Sequence, residues 1–150
     1  MPATVAPTLP IKTLLEINAA LSSLDGTPTI VKGEKNENGP DTADKIVTVP
    51  YQFSGKVRWG ISKNLNVLKR VSEDFGKTRD ALINEVSNGT GRIEPDNETA
   101  IKTLNDKVAE VFATEEDTKG LLTLPLDGLN LDINQIPVAV LAALEPIIAE

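Results

Sequence analysis

Between Lys56 and Val86 the apolar residues return at a spacing that only a helix can use. Ile61, Leu68, Phe75 and Leu82 recur every seven residues, flanked by Val57, Leu65, Val71 and Val86. With about 100° of rotation per residue, these positions form one stripe along one helical face. Ile101, Leu104, Val108, Val111 and Phe112 step by three and four, as a partner stripe would. The stretch Asn88 to Pro95 between them holds two glycines and a proline, which helices tolerate poorly. The pattern predicts an antiparallel helical hairpin whose packed seam, including Leu68 and Phe75, is the stability core. Its first arm, from Lys56 to Val86, would run roughly 45 Å at about 1.5 Å per residue. The second arm is expected to start near Asp96, as a cap after Pro95, and to end near Thr118. Gly76, inside the first arm, marks an expected kink or close helix approach.

The flanks add shorter elements. Ile11 to Leu24 carries Ile11, Leu14, Leu15, Leu21 and Leu24 and stops at Asp25-Gly26, which predicts a helix. Two β-branched runs, Thr29-Ile30-Val31 and Ile46-Val47-Thr48-Val49, predict a hairpin around a polar tip at about residues 33–45, unless that tip is a surface insertion. Leu121 to Ile133 alternates apolar with polar around Asp127-Gly128, a hairpin or edge-strand signal in which Pro125 restricts pairing. A last helix should begin at Pro137 and run through Leu144 toward Ile148, with Pro146 fraying its end. The expected class is therefore α+β: a long helical hairpin, flanking helices, and a small sheet from the 29–49 and 121–133 segments. Residues 1–10, with three prolines among small residues, read as an extended arm ahead of one domain at 11–150. Such an arm offers little to bury, so its order is expected to come from a partner, with Pro2, Val5 and Pro7 as its contact residues.

Several chemistries are disfavoured by what the chain lacks. There is no cysteine and no histidine, which removes thiolate nucleophiles, thiolate zinc sites and the commonest neutral-pH acid/base and metal ligand. No carboxylate spacing singles out an acid/base pair. Asn88-Gly89-Thr90-Gly91 lacks the lysine of a phosphate loop. The triplet Glu115-Glu116-Asp117 has no calcium-loop spacing around it and reads as a solvated helix end. The expectation is a protein that is not an enzyme and holds no cofactor or metal. A formal charge of −7 with only 3% aromatic residues argues against nucleic-acid binding. The N-terminus has no signal-peptide pattern, and the longest apolar run, near Ile136 to Ala149, is too short to span a bilayer and contains Glu145. No membrane association is expected.

Two constellations remain. Lys56, Lys63, Arg70 and Lys77 repeat every seven residues, roughly 200° from the apolar stripe, and so face away from the core. Residues 56–79 hold seven basic side chains against two acidic, and residues 94–119 hold eight acidic against three basic. The strip is either a solvated face with hairpin-pairing electrostatics or a surface for a partner. Tyr51, Phe53 and Trp59 are three of only five aromatic rings and cluster ahead of and within the first turns of the long helix. Either they fasten that junction into the core, or they form an exposed anchor.

Pro50, then Ile61-Ser62-Lys63-Asn64-Leu65, Leu68, Phe75, Arg79 and Leu82-Ile83, and later Leu131-Asp132-Ile133, Ile136-Pro137 and Leu141-Ala142-Ala143-Leu144-Glu145-Pro146 together resemble a family of small tailed-bacteriophage proteins of unknown function. The resemblance runs over roughly residues 46–150. It implies a phage setting, in the virion or the host cytoplasm, and supplies no catalytic residues. With it, the expected function is a non-enzymatic accessory protein, structural in the head or tail or acting in assembly, whose partners are other phage structural subunits or further copies of itself. The alternative from another class is an early phage protein that binds and inhibits a host or defence factor.

Overall fold

A computed structural model describes residues 4–25, 29–31, 33, 39–40, 43–47 and 51–149. Most of the polar tip expected at 33–45 lies outside the described residues, as does Pro2. The fold is α+β. Strand β1 (Thr8–Pro10) passes directly into helix α1 (Ile11–Leu24), followed by β2 (Thr29–Val31) and β3 (Lys45–Val47). Then come the long helix α2 (Gly55–Val86), α3 (Glu98–Ala113), β4 (Glu115–Asp117), β5 (Leu124–Pro125), α4 (Val138–Leu144) and β6 (Ile148–Ala149).

Local chemistry explains the helix ends. The Ser54 hydroxyl caps α2 by accepting from the Val57 N–H at 3.2 Å. The cap of α3 is Asn97, not Asp96: its side chain accepts from the Ala100 N–H at 3.1 Å. Between the two helices Asn88, Gly89 and Gly91 all take left-handed backbone angles, with φ of 56°, 85° and 71°. The helices return antiparallel: Phe75 stacks on Phe112 with ring centroids 5.2 Å apart, and farther out Lys107 pairs with Glu85 at 2.7 Å.

The core lies elsewhere than the hairpin seam. Its fully buried members are Leu14, Ile17, Leu21 and Leu24 of α1, Ile61 and Leu68 of α2, and Leu124, Leu129, Leu144 and Ile147 of the C-terminal third. Beyond Leu68 the stripe of α2 continues as Phe75 and Leu82, but these are only half-buried. The expectation that the hairpin seam is the stability core is therefore corrected. The buried residues of α2, namely Val57, Gly60, Ile61, Asn64 and Leu68, all lie in its first half, and farther along the helix Phe75 stacks on Phe112 of α3.

Three further expectations change. The strands form three separate two-stranded ladders: β1 with β4 antiparallel, β2 with β3 antiparallel, and β5 with β6 parallel. The β2–β3 hairpin is the expected one. The 121–133 segment does not join it, because Asp127-Gly128 turns as a single 3-10 helix and Leu121, Leu124 and Leu129 are buried in the core. Glu115-Glu116-Asp117 is no helix end; α3 stops at Ala113 and the triplet forms the strand that receives β1. Finally, residues 4–10 of the N-terminal arm are held by their own chain. Val5 and Leu9 pack on the core, the Thr118 N–H donates to the Pro7 carbonyl at 3.1 Å, and the buried Thr118 hydroxyl donates to the Ala6 carbonyl. The first N–H of α1, on Ile11, is satisfied by the Thr114 carbonyl at 2.9 Å, tying the arm's end to the end of α3.

Candidate functional site

Residues 118–134 run back along the first half of α2, held by side-chain amides and close glycine contacts. A Cβ on Gly120 would lie 3.1 Å from Val67, one on Gly60 would lie 2.8 Å from Leu124, and one on Gly128 would lie 2.8 Å from Val57. The close approach in α2 is thus at Gly60; a Cβ on Gly76 would meet nothing within 4 Å. Between these contacts sits Asn64, fully buried on the apolar stripe. Its Nδ2 donates to the Leu122 carbonyl at 2.9 Å, and its Oδ1 accepts from the Leu122 N–H at 2.7 Å. One side chain thus serves both backbone groups of one residue, as a neighbouring strand would. Asn134 repeats the device on Gln52, accepting from its N–H at 2.8 Å and donating to its carbonyl at 2.9 Å.

With its backbone engaged by Asn64, and with Leu121 and Leu124 buried, Leu122 presents its side chain outward and is 43% exposed. Beside it on α2 stands Trp59, which is 62% exposed. The two residues, with Lys56, Thr123 and Pro125, line a groove of about 120 Å³ whose floor is Gly60. The Lys63 ammonium lies 4.8 Å from the centre of the Trp59 ring, in cation–π range.

The aromatic cluster is therefore split. Tyr51 and Phe53 are half-buried against the core with their rings 6.0 Å apart, and Arg58 secures them, donating to the Tyr51 carbonyl at 2.6 Å and lying 5.5 Å above the Phe53 ring. Trp59 does not fasten the junction, because it projects on the opposite side of α2 from the core residues Val57 and Ile61. Lys56, Lys63, Arg70 and Lys77 are all exposed on the outward face, as their period places them. Pro7 and Val5 lie on the β4 side of the molecule, committed to intramolecular contacts as described above, and are not brought to the groove. Leu122 and Asn64 escaped the sequence reading. The available signal was an amide sitting on an apolar stripe at Val57, Ile61, Asn64 and Leu68.

A larger open groove, about 610 Å³, lies between α1 and α4 and is floored by alanines, chiefly Ala19, Ala20, Ala139, Ala142 and Ala143. It carries one carboxylate, Glu16, at its edge and no large side chain aimed into it. Among the described residues no three acidic side chains converge as a metal site requires, and no helix is long and apolar enough to cross a membrane. No family model, curated protein or solved structure matches the chain.

Proposed function

We propose that this chain is a non-enzymatic tailed-phage protein that works through protein–protein contacts, as a component of the virion or as an assembly factor, and that the Trp59–Leu122 groove holds its partner. The observation that carries the mode of action is Trp59. In a chain with five aromatic rings, the largest one stands 62% exposed beside an exposed leucine, on a rigid helix. Tryptophan in such a position is the residue type most enriched among binding hot spots, because its burial removes a large apolar area from water at little cost in side-chain entropy. The phage setting rests on the resemblance of the 46–150 region, in which Ile61 to Leu65 follow directly on α2 after the groove residues Trp59 and Gly60.

The test is to place a photo-crosslinking residue at position 59 in the phage that encodes the chain, then to identify adducts and particle composition by mass spectrometry. The expected result is the protein in purified particles, or in assembly intermediates, crosslinked from position 59 to a phage structural protein. Absence from both, with crosslinks to a host protein, would replace this reading with that of an early inhibitor of a host factor. Presence in particles without any adduct from position 59 would keep the setting and remove the groove from it.

A further inference from the structure

We infer that the partner presents to this groove an acidic segment carrying one aliphatic anchor, which inserts between Trp59 and Leu122 while flanking carboxylates meet Lys56 and Lys63. The inference rests on the proposed role of the groove and names the chemistry of what fills it. Its basis is how the basic side chains of α2 are used. Arg58 is committed to the Tyr51 carbonyl and the Phe53 ring. Lys69 pairs with Glu73 at 4.0 Å, Arg70 with Asp74 at 3.9 Å and Arg79 with Asp80 at 3.9 Å. Among the described residues no carboxylate comes within 4.0 Å of Lys56, Lys63 or Lys77.

Of these three, Lys56 and Lys63 stand one turn before and one turn after Trp59 on the same helical face, whereas Lys77 lies about 21 Å beyond Lys63 along the axis. Two of the three α2 lysines without a carboxylate partner therefore flank the apolar anchor. Lys56 lines the groove itself, and the Lys63 ammonium lies 4.8 Å from the centre of the tryptophan ring that forms one wall of it. A groove of about 120 Å³ accommodates a single aliphatic side chain, not an aromatic pair or a helix. The complementary ligand is accordingly a short acidic stretch with one leucine-sized residue, its charges steering encounter and its anchor setting residence time.

The chain carries its own reporter, because Trp59 is its only tryptophan. Intrinsic fluorescence would be titrated with three synthetic probes: a short acidic peptide with one central leucine, the same peptide with serine for that leucine, and a version with lysine for every carboxylate. The acidic leucine peptide is expected to shift the emission and to bind at least about tenfold more tightly than either of the others, with affinity falling as salt is raised. Joint Lys56→Glu and Lys63→Glu substitution should invert the charge preference, while Lys77→Glu leaves it unchanged; circular dichroism confirms the fold of each variant. Equal binding of the acidic and basic peptides, or no response at millimolar peptide, overturns the inference. So would crosslinks from position 59 only to a second copy of this chain lacking such a segment at the contact. A position-59 adduct with a phage subunit alongside failure of the acidic peptide would leave the groove as an interface and discard this partner chemistry alone.

Discussion

Asn64 and Leu122, separated by 58 positions in the chain, are joined by two hydrogen bonds of 2.9 and 2.7 Å that satisfy both backbone groups of the leucine. The pairing does two things at once. It lets a polar side chain sit fully buried in an apolar stripe without leaving an unsatisfied atom, and it holds the irregular segment after β4 against α2 so that the Leu122 side chain stands beside Trp59.

Asn64→Ala should therefore cost about 2–4 kcal/mol in chemical denaturation, since it strands a donor and an acceptor in a partly buried site. Asn64→Asp adds a pH signature. When protonated, the introduced carboxyl both donates and accepts, as the amide does; when ionised, it faces the Leu122 carbonyl without a proton to offer. Burial raises its folded-state pKa above the unfolded value of about 4, so the folded form binds the proton more tightly. The penalty should shrink as pH is lowered toward about 4 and be complete once pH exceeds the folded-state pKa. A loss independent of pH would mean that the two hydrogen bonds do not govern this site.

Gly60 and Gly76, both inside α2, should respond with opposite signs. Gly76→Ala meets no atom within 4 Å and gains helix propensity, so it should stabilise by up to about 1 kcal/mol. Gly60→Ala would bring a methyl to 2.8 Å from Leu124, a fully buried neighbour, and should be destabilising despite the same gain in propensity. Matched thermal melts of the two variants decide this.

Leu68→Ala should cost about 2–5 kcal/mol, as expected for a cavity at a site with no exposed surface. Phe75→Ala, although on the same stripe, should cost only about 1–2 kcal/mol. Its ring is half-buried and its main loss is the stack on Phe112. Equal losses for the two variants would restore the hairpin seam as part of the core.

Deleting residues 1–7 should lower the melting temperature by several degrees even at concentrations where the chain is monomeric. It removes the carbonyl partners of the Thr118 N–H and hydroxyl and uncovers the core where Val5 packs. For a chain of this size about 1 kcal/mol corresponds to about 2–4 °C. An unchanged melting temperature, with assembly impaired, would instead return the arm to an intermolecular role.

What the sequence determined by itself is the set of elements whose signals are local. The period of Leu14, Leu21 and Leu24 defines α1, that of Ile61 and Leu68 defines α2, and Asn88-Gly89 supplies the left-handed turn between the long helices. The outward direction of Lys56, Lys63, Arg70 and Lys77 follows from the same arithmetic, because helical rotation per residue is fixed by backbone geometry. Only the tertiary structure decided how much of each face is covered. Periodicity says that Phe75 and Leu68 share a stripe; it does not say that one is fully covered and the other only half. In the same way, helical arithmetic puts Trp59 on the outward face but does not say that Leu122 comes to stand beside it, and nothing near Asn64 or Thr118 announces their partners. Those partners, Leu122 and the Ala6–Pro7 backbone, are brought in by long-range packing. A buried amide or hydroxyl is stable only where such a distant backbone arrives to meet it, and that meeting is a property of the fold rather than of any stretch of sequence.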